Sequence, residues 1–245
     1  MKSEHGAISG SSTDAAEDKY FYNEEHGLPV IMHLFDQHFG KKILEVGAGT
    51  GAVAKYLFDS GLSVTAVEPE ESLARRIRNL IPQSDNFRLV EGDSQTAYAQ
   101  FMTEGQKFDA IIYVSVLEHI FDDQGEFKSA EASLNVGGKL LIFVPALEFL
   151  FARIDAETGH FRRYTKSRLA HLTAEAGLKI VSLKYFETVG IIPYLVIYKF
   201  LRRRDITKSS TGVYNNLVLP LSMIVYRLSR GRLLGKNLVL VAQKT

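Results

Sequence analysis

An acid followed by three alternating glycines is the chemically most telling group in this chain. The run Ile43-Leu44-Glu45-Val46-Gly47-Ala48-Gly49-Thr50-Gly51 carries an apolar strand into glycines that open a helix. Glycine suits such a loop because the chain must turn through dihedrals a Cβ would obstruct, and because its backbone must approach a bulky ligand closely. Glu45 sits at the strand's carboxyl end, where a carboxylate can meet a ligand's positive charge. Spacing alone leaves the ligand open. Gly47-x-Gly49-x-x-Ala52 also satisfies a dinucleotide fingerprint, and Glu68, 17 residues beyond Gly51, could hold a nicotinamide-side ribose. Ligands of open α/β sheets bind outside the carboxyl ends of the strands, so the acids and histidines at later strand ends must separate the two readings.

The elements that position these residues alternate. A helix over Gly27 to Phe39 stops at Gly40 before a strand over Lys42 to Val46. A helix over Ala52 to Ser60 and a β-rich strand over Leu62 to Val67 complete one βαβ unit. The pattern then predicts helices near Glu71 to Leu80 and Ala97 to Met102, with strands at Phe87 to Val90 and Phe108 to Val114. A helix over Gly125 to Leu134 precedes a Gly137-Gly138 turn and a strand over Lys139 to Val144. Lys166 to Ala176 reads as helix, and Leu178 to Tyr185 and Asn237 to Ala242 as strands. Such alternation predicts a parallel sheet.

In these motifs the chain resembles the class I S-adenosylmethionine-dependent methyltransferases, of the small-molecule type 11/12-like kind. The resemblance rests on Glu45-x-Gly47-x-Gly49-x-Gly51, on Glu68 after the second strand, on Glu91-Gly92-Asp93 after the third and on Val116-Leu117-Glu118-His119 after the fourth. It extends to Leu134 to Lys139, to Gly159-His160-Phe161-Arg162-Arg163-Tyr164-Thr165 and to Ala176-Gly177-Leu178. It implies a Rossmann-like, doubly wound, seven-stranded sheet, mostly parallel with an antiparallel last strand; it covers about Tyr20 to Leu183 plus that strand and leaves out the segment between them, which reads as a helical insertion. S-adenosylmethionine would be the cofactor. Glu68 would accept both ribose hydroxyls, with Pro69 beside it, and Asp93 the adenine amino group, with the Ser94 amide near the ring. Gly47, Gly49 and Gly51 would pass the methionine and ribose, with Glu45 near the amino group and Val114 and Ser115 at the strand-four end.

Methyl transfer needs mainly alignment, desolvation and sometimes proton removal. His119 and His160 are the candidate bases, and Tyr164 could orient a substrate. Arg162 and Arg163 could hold a carboxylate or phosphate, or pair with acids on the domain surface. Asp155, Glu157 and His160 have the element types of a metal site but no trusted spacing, so no metal is expected. No Asp/Asn-Pro-Pro-aromatic signature follows strand four, and the absence of cysteine excludes the covalent route used on cytosine carbon five.

The chain has 245 residues, 46% of them hydrophobic, enough for one generous domain. Net charge is only +1, yet residues 189–236 hold nine Lys or Arg against Asp205, a local +8 that leaves −7 on the remainder. Nucleic acid is therefore not an expected partner. That segment contains two apolar runs, Gly190 to Leu201 and Leu217 to Leu228, both short of the ~20 residues that span a bilayer. Each is followed by arginines, Arg202-Arg203-Arg204 in the first case and Arg227, Arg230 and Arg232 in the second. A peripheral helix on an anionic membrane, a lid or a dimer surface all fit, and Tyr194, Tyr198 and Tyr226 suit interfacial anchoring or a pocket wall. The expected organisation is a disordered leader over 1–19, a methyltransferase domain over 20–188 and 237–245, and the insertion over 189–236. Tyr20, Phe21 and Tyr22 are candidates for an aromatic lid or for core packing. A cytoplasmic protein, free or peripherally membrane-bound, is expected, acting on a small-molecule acceptor such as a lipid, quinone or glycan precursor; the alternatives are an NAD(P)-dependent oxidoreductase and a non-catalytic methyltransferase-like membrane-binding protein.

Overall fold

The computed structural model describes residues 24–201 and 214–245. The leader, Tyr20 to Tyr22 and the arginines at 202–204 lie outside the described residues. Seven strands form a single sheet in the order β3-β2-β1-β4-β5-β7-β6. They are β1 Lys42–Val46, β2 Ser63–Glu68, β3 Phe87–Glu91, β4 Phe108–Val114, β5 Leu134–Pro145, β6 Leu178–Phe186 and β7 Asn237–Lys244. β1 to β5 pair in parallel, while β7 runs antiparallel to both β5 and β6.

The helices are α1 Glu24–His33, α2 Ala52–Asp59, α3 Glu71–Leu80, α4 Ser94–Glu104, α5 Asp123–Ser133, α6 Arg153–Glu157, α7 Lys166–Glu175, α8 Ile191–Tyr194 and α9 Leu219–Ser229. α8 continues as a π-helical turn over Leu195–Phe200, and α9 is preceded by another over Tyr214–Val218. Side chains alternate across the sheet and fill two cores. Leu44, Val46, Ile111 and Tyr113 point to one face with Phe101 and Phe127. Ile43, Val64, Ala110 and Ile112 point to the other with Met32, Leu57 and Ile77. Because both faces are covered, the inner strands read as near-continuous apolar runs.

Two details differ from the sequence reading. The first helix ends at His33 and resumes only as a short 3-10 turn over Asp36–His38. β5 begins at Leu134, so Gly137-Gly138 lies within the strand, at a register irregularity opposite Phe108 and Ala110. A Cβ on Gly138 would stand 2.8 Å from the Asn135 carbonyl oxygen and 3.1 Å from that of Phe108. Backbones meet too closely there for a side chain, which is why a turn-like dipeptide serves an irregular strand.

The reversed last strand sets where the site lies. β6 ends at the carboxyl edge of the sheet, the chain traverses α8 and α9, and β7 starts from that same edge. An antiparallel return needs no crossover to the far edge. The described parts of the insertion, residues 189–201 and 214–236, thereby join the sheet at that edge.

Candidate active site

The glycine loop and two acids build the first half of the site. Gly47 and Gly49 adopt positive φ, 71° and 56°. A Cβ on Gly47 would collide with Val116 at 2.6 Å, whereas one on Gly49 would meet nothing within 4 Å. Gly49 thus faces open space that a ligand can fill. Its amide donates to Glu68 Oε2 at 2.7 Å, and the Glu70 amide donates to Glu68 Oε1 at 2.9 Å. The Glu68 carboxylate is held in place by backbone while each oxygen keeps a further lone pair for a ligand hydroxyl. Burial raises its pKa, against the two backbone hydrogen bonds.

Glu45 is 3% exposed, and its Oε2 has no hydrogen-bond partner. Burial first, and then the charge of Glu68, raise its carboxyl well above the ordinary range. An unpaired buried carboxylate oxygen is costly, so a cationic group arriving here would be strongly favoured.

Further out, Asp93 caps α4. Its Oδ1 accepts from the Thr96 amide at 2.8 Å, which with the Thr96 hydroxyl holds its carboxyl below the usual value. The Ser94 hydroxyl donates to Glu126 at 2.8 Å, and Pro69 is exposed beyond Glu68. Val114 and Ser115 line the same cavity as the glycines. Ser115 has φ 55°, Leu147 65° and Glu187 60°, so β4, β5 and β6 are each left through, or within two residues of, a left-handed non-glycine residue. Strain of this kind persists only where the surroundings over-determine it, and it collects at ligand sites.

The second half lies one turn past Ser115. Leu117–His119 form a 3-10 turn that buries Glu118 and leaves His119 half-buried. His160 meets His119 edge to face, with ring centroids 4.6 Å apart. Burial, then the His160 charge, press His119 down to about 4, so its ring is neutral at physiological pH. Asp155 accepts from His160 Nδ1 at 3.1 Å, pairs with Arg163 at 2.7 Å and accepts from the Tyr194 hydroxyl at 2.8 Å. Burial alone would raise Asp155, but the His160 bond and the Arg163 charge hold it well below the carboxylate range. Arg163 lies 4.5 Å from the centroid of the Tyr194 ring.

Tyr164 is fully buried, and its hydroxyl donates to the Leu117 carbonyl and to Asp123 Oδ2, both at 3.0 Å. Burial and Asp123 raise its pKa, so the hydroxyl braces the 3-10 turn and is poorly suited to orient a substrate or move a proton. Arg162 pairs with Asp123 at 3.0 Å and donates to the carbonyls of Ile120 and Phe121. Both arginines are thus committed to protein groups. Glu157 pairs with Arg153 at 2.6 Å.

A cavity of about 410 Å³ joins the glycine loop to Ser115, Phe143, Phe186, Glu187, Lys236 and Asn237, with Tyr214 and Leu219 of the insertion as one wall. Glu187 is 4% exposed, Lys236 approaches it at 3.4 Å, and Asn237 donates to it. Sequence reasoning missed Glu187, Lys236 and Tyr214. The available signal was topological: the end of β6 and the start of β7 share the edge where the glycine loop sits.

A family model described as a methyltransferase domain matches residues 25–183. The chain belongs to this methyltransferase family. The methyltransferase is 26% identical over 174 residues to the ubiquinone biosynthesis O-methyltransferase of Coxiella burnetii strain RSA 331, a match spanning 63% of this chain and 72% of that protein. It is 30% identical over 156 residues to the demethylmenaquinone methyltransferase of Tropheryma whipplei strain Twist, spanning 62% and 61%. Its fold matches a SAM-dependent methyltransferase from Archaeoglobus fulgidus with a TM-score of 0.60 at 13% identity, over 92% of this chain and 99% of that one. The nicotinamide reading that the glycine spacing allowed gains no support, and S-adenosylmethionine is the cofactor class the methyltransferase takes. The residues present fit that group, because Glu45 offers an unpartnered buried oxygen and Gly49 an open cradle. Among the described residues, no helix is long and apolar enough to cross a membrane.

Proposed function

We propose that this methyltransferase moves a methyl group onto a hydroxyl of a small aromatic acceptor of the quinone-precursor class, and that it does so against an anionic membrane surface. The observation that carries the cofactor assignment is the buried, unpartnered Glu45 oxygen facing the glycine loop. Glu45 takes the cofactor's ammonium, and Gly47, Gly49 and Gly51 admit its backbone-hugging portion. Glu68 takes the ribose hydroxyls, with Pro69 beside it. Asp93 and Ser94 edge the adenine, and Val114 and Ser115 flank the methyl end. The cofactor, when bound, supplies an electrophilic methyl group.

His119 and His160 border the acceptor, and a neutral imidazole there can accept the hydrogen bond of its hydroxyl. Tyr164 keeps the turn carrying His119 rigid. Two of the relatives act on quinone precursors by their names, which supports the acceptor class. The membrane surface is supported by the +8 charge of residues 189–236 and by exposed Ile192, Phe200, Leu217, Ile224, Leu228 and Leu233. On this reading 20–188 with 237–245 is the catalytic domain and 189–236 an acceptor-presenting element.

Calorimetry on ligand-stripped protein tests the cofactor half. S-adenosylhomocysteine should bind, and Glu68→Ala should weaken it by about 2 to 3 kcal/mol, the loss expected when hydrogen bonds to a charged group disappear. No binding by the wild type would end the proposal. Radiolabelled methyl transfer to a panel of prenylated phenols, with glycerolipids and sugars as competing acceptors, tests the acceptor class.

A further inference from the structure

Glu118, His119 and His160 are not fully explained by their protein contacts. Glu118 is 1% exposed, and its Oε2 has no hydrogen-bond partner. The nearby guanidinium of Arg163 is spent on Asp155 at 2.7 Å and on the Ala146 carbonyl at 3.3 Å. His160 gives Nδ1 to Asp155, which leaves Nε2 available. His119 has its Nδ1 on the Gly159 side, 3.6 Å from where a Cβ on that residue would stand. One ligand atom from each of the three side chains lies within 4.8 Å of the other two. Among the described residues no other trio of His, Asp and Glu converges in this way.

Histidines that ligate a metal characteristically give their other ring nitrogen to a carboxylate or a backbone carbonyl, which fixes the tautomer and aims the free nitrogen. His160 has that support from Asp155, and the Nδ1 of His119 lies against Gly159. We infer that Glu118, His119 and His160 form a site for a divalent first-row transition cation, open on the acceptor side. Two imidazoles and one carboxylate suit zinc, iron, cobalt or manganese better than magnesium or calcium, and three protein ligands leave positions for water or substrate. His160 is 18% exposed and His119 half-buried, which leaves a route for the ion. The sequence led to no expected metal because Asp155, Glu157 and His160 match no trusted spacing; in the structure Asp155 instead holds the His160 ring, and the trio that converges is Glu118, His119 and His160.

The site's role rests on the methyltransferase reading. A phenol or vicinal diol binding the cation through oxygen has its hydroxyl pKa lowered. The hydroxyl proton leaves to solvent, and the oxygen's electron pair forms the new bond to the methyl carbon. The carbon–sulfur bond breaks with its electrons staying on sulfur, which becomes a neutral thioether. The histidines then hold the cation rather than take the proton.

The test titrates zinc chloride into untagged, chelator-stripped full-length protein by calorimetry. One zinc per chain is expected, weakened about tenfold or more in His119→Ala and in His160→Ala, the scale at which ligand loss acts. Binding of S-adenosylhomocysteine by the same variants serves as the fold check. Cobalt(II) added to the wild type should give visible d–d bands, a readout that requires no variant to fold. No zinc binding, absent cobalt bands, or zinc binding unchanged in the double His119→Ala/His160→Ala variant would each overturn the site. A protein that binds S-adenosylhomocysteine but no zinc loses this inference alone. One that binds zinc but neither S-adenosylmethionine nor S-adenosylhomocysteine keeps the site and loses the methyl-transfer reading.

Discussion

In its proposed cofactor-binding role, Glu45 sets stability against binding. Its folded pKa is raised by burial and by Glu68, so the folded protein holds a proton that the unfolded chain releases at lower pH. That contribution to stability is complete below the unfolded value and is lost as pH rises through the folded one. Glu45→Gln removes the liability. Its melting temperature should match the wild type near pH 4.5 and exceed it at pH 8, read by calorimetry without ligand, while affinity for S-adenosylhomocysteine falls about tenfold or more, as expected when an ion pair is deleted. A variant that melts lower at pH 8 would show that Glu45 is paired in the free protein. Residue types at strand ends made Glu45, Glu68 and Asp93 legible in the sequence, because each follows an apolar run. Tyr164 looked equally chemical, but its burial and its bonds to Leu117 and Asp123 depend on α5 and the 3-10 turn folding together. No local pattern encodes that.

At the scale of elements, the tie between Tyr194 of α8 and Asp155 of α6 links the insertion to the His160 loop. Tyr194→Phe keeps the ring over Arg163 and deletes one hydrogen bond to a charged group, a cost of about 1.5 to 3 kcal/mol. A lower melting temperature and a raised acceptor KM are expected, with S-adenosylhomocysteine affinity unchanged. Cofactor affinity falling in parallel would mean that the tie supports the whole sheet edge rather than the acceptor side. Elements with strong periodicity could be read almost to the residue, α3 and β4 among them. The start of β5 could not, because Gly137 and Gly138 serve a crowded strand irregularity that looks like a turn in one dimension.

For the whole molecule, the proposed membrane reading rests on charge segregation. Residues 189–236 carry +8 against −7 elsewhere, so the protein should orient on phosphatidylglycerol vesicles and dissociate as sodium chloride rises from about 50 to 500 mM, where screening shortens to a few ångströms. Co-sedimentation in which Arg227, Arg230 and Arg232 are changed to glutamate should abolish binding; equal sedimentation of both forms would assign the segment to a lid alone. The parallel α/β architecture was readable from alternation. The antiparallel last strand came from the family resemblance and the insertion before it from the segment that the resemblance leaves out, while the pairing of β7 between β5 and β6, which brings Tyr214 and Leu219 to the glycine-loop cavity, was not readable. That reversal has a mechanical consequence. Because the chain leaves β6 and re-enters at β7 on one edge, the strand pairing does not depend on the path between them, yet Tyr214 and Leu219 on that path wall the glycine-loop cavity, so a change there is felt at the donor end as well.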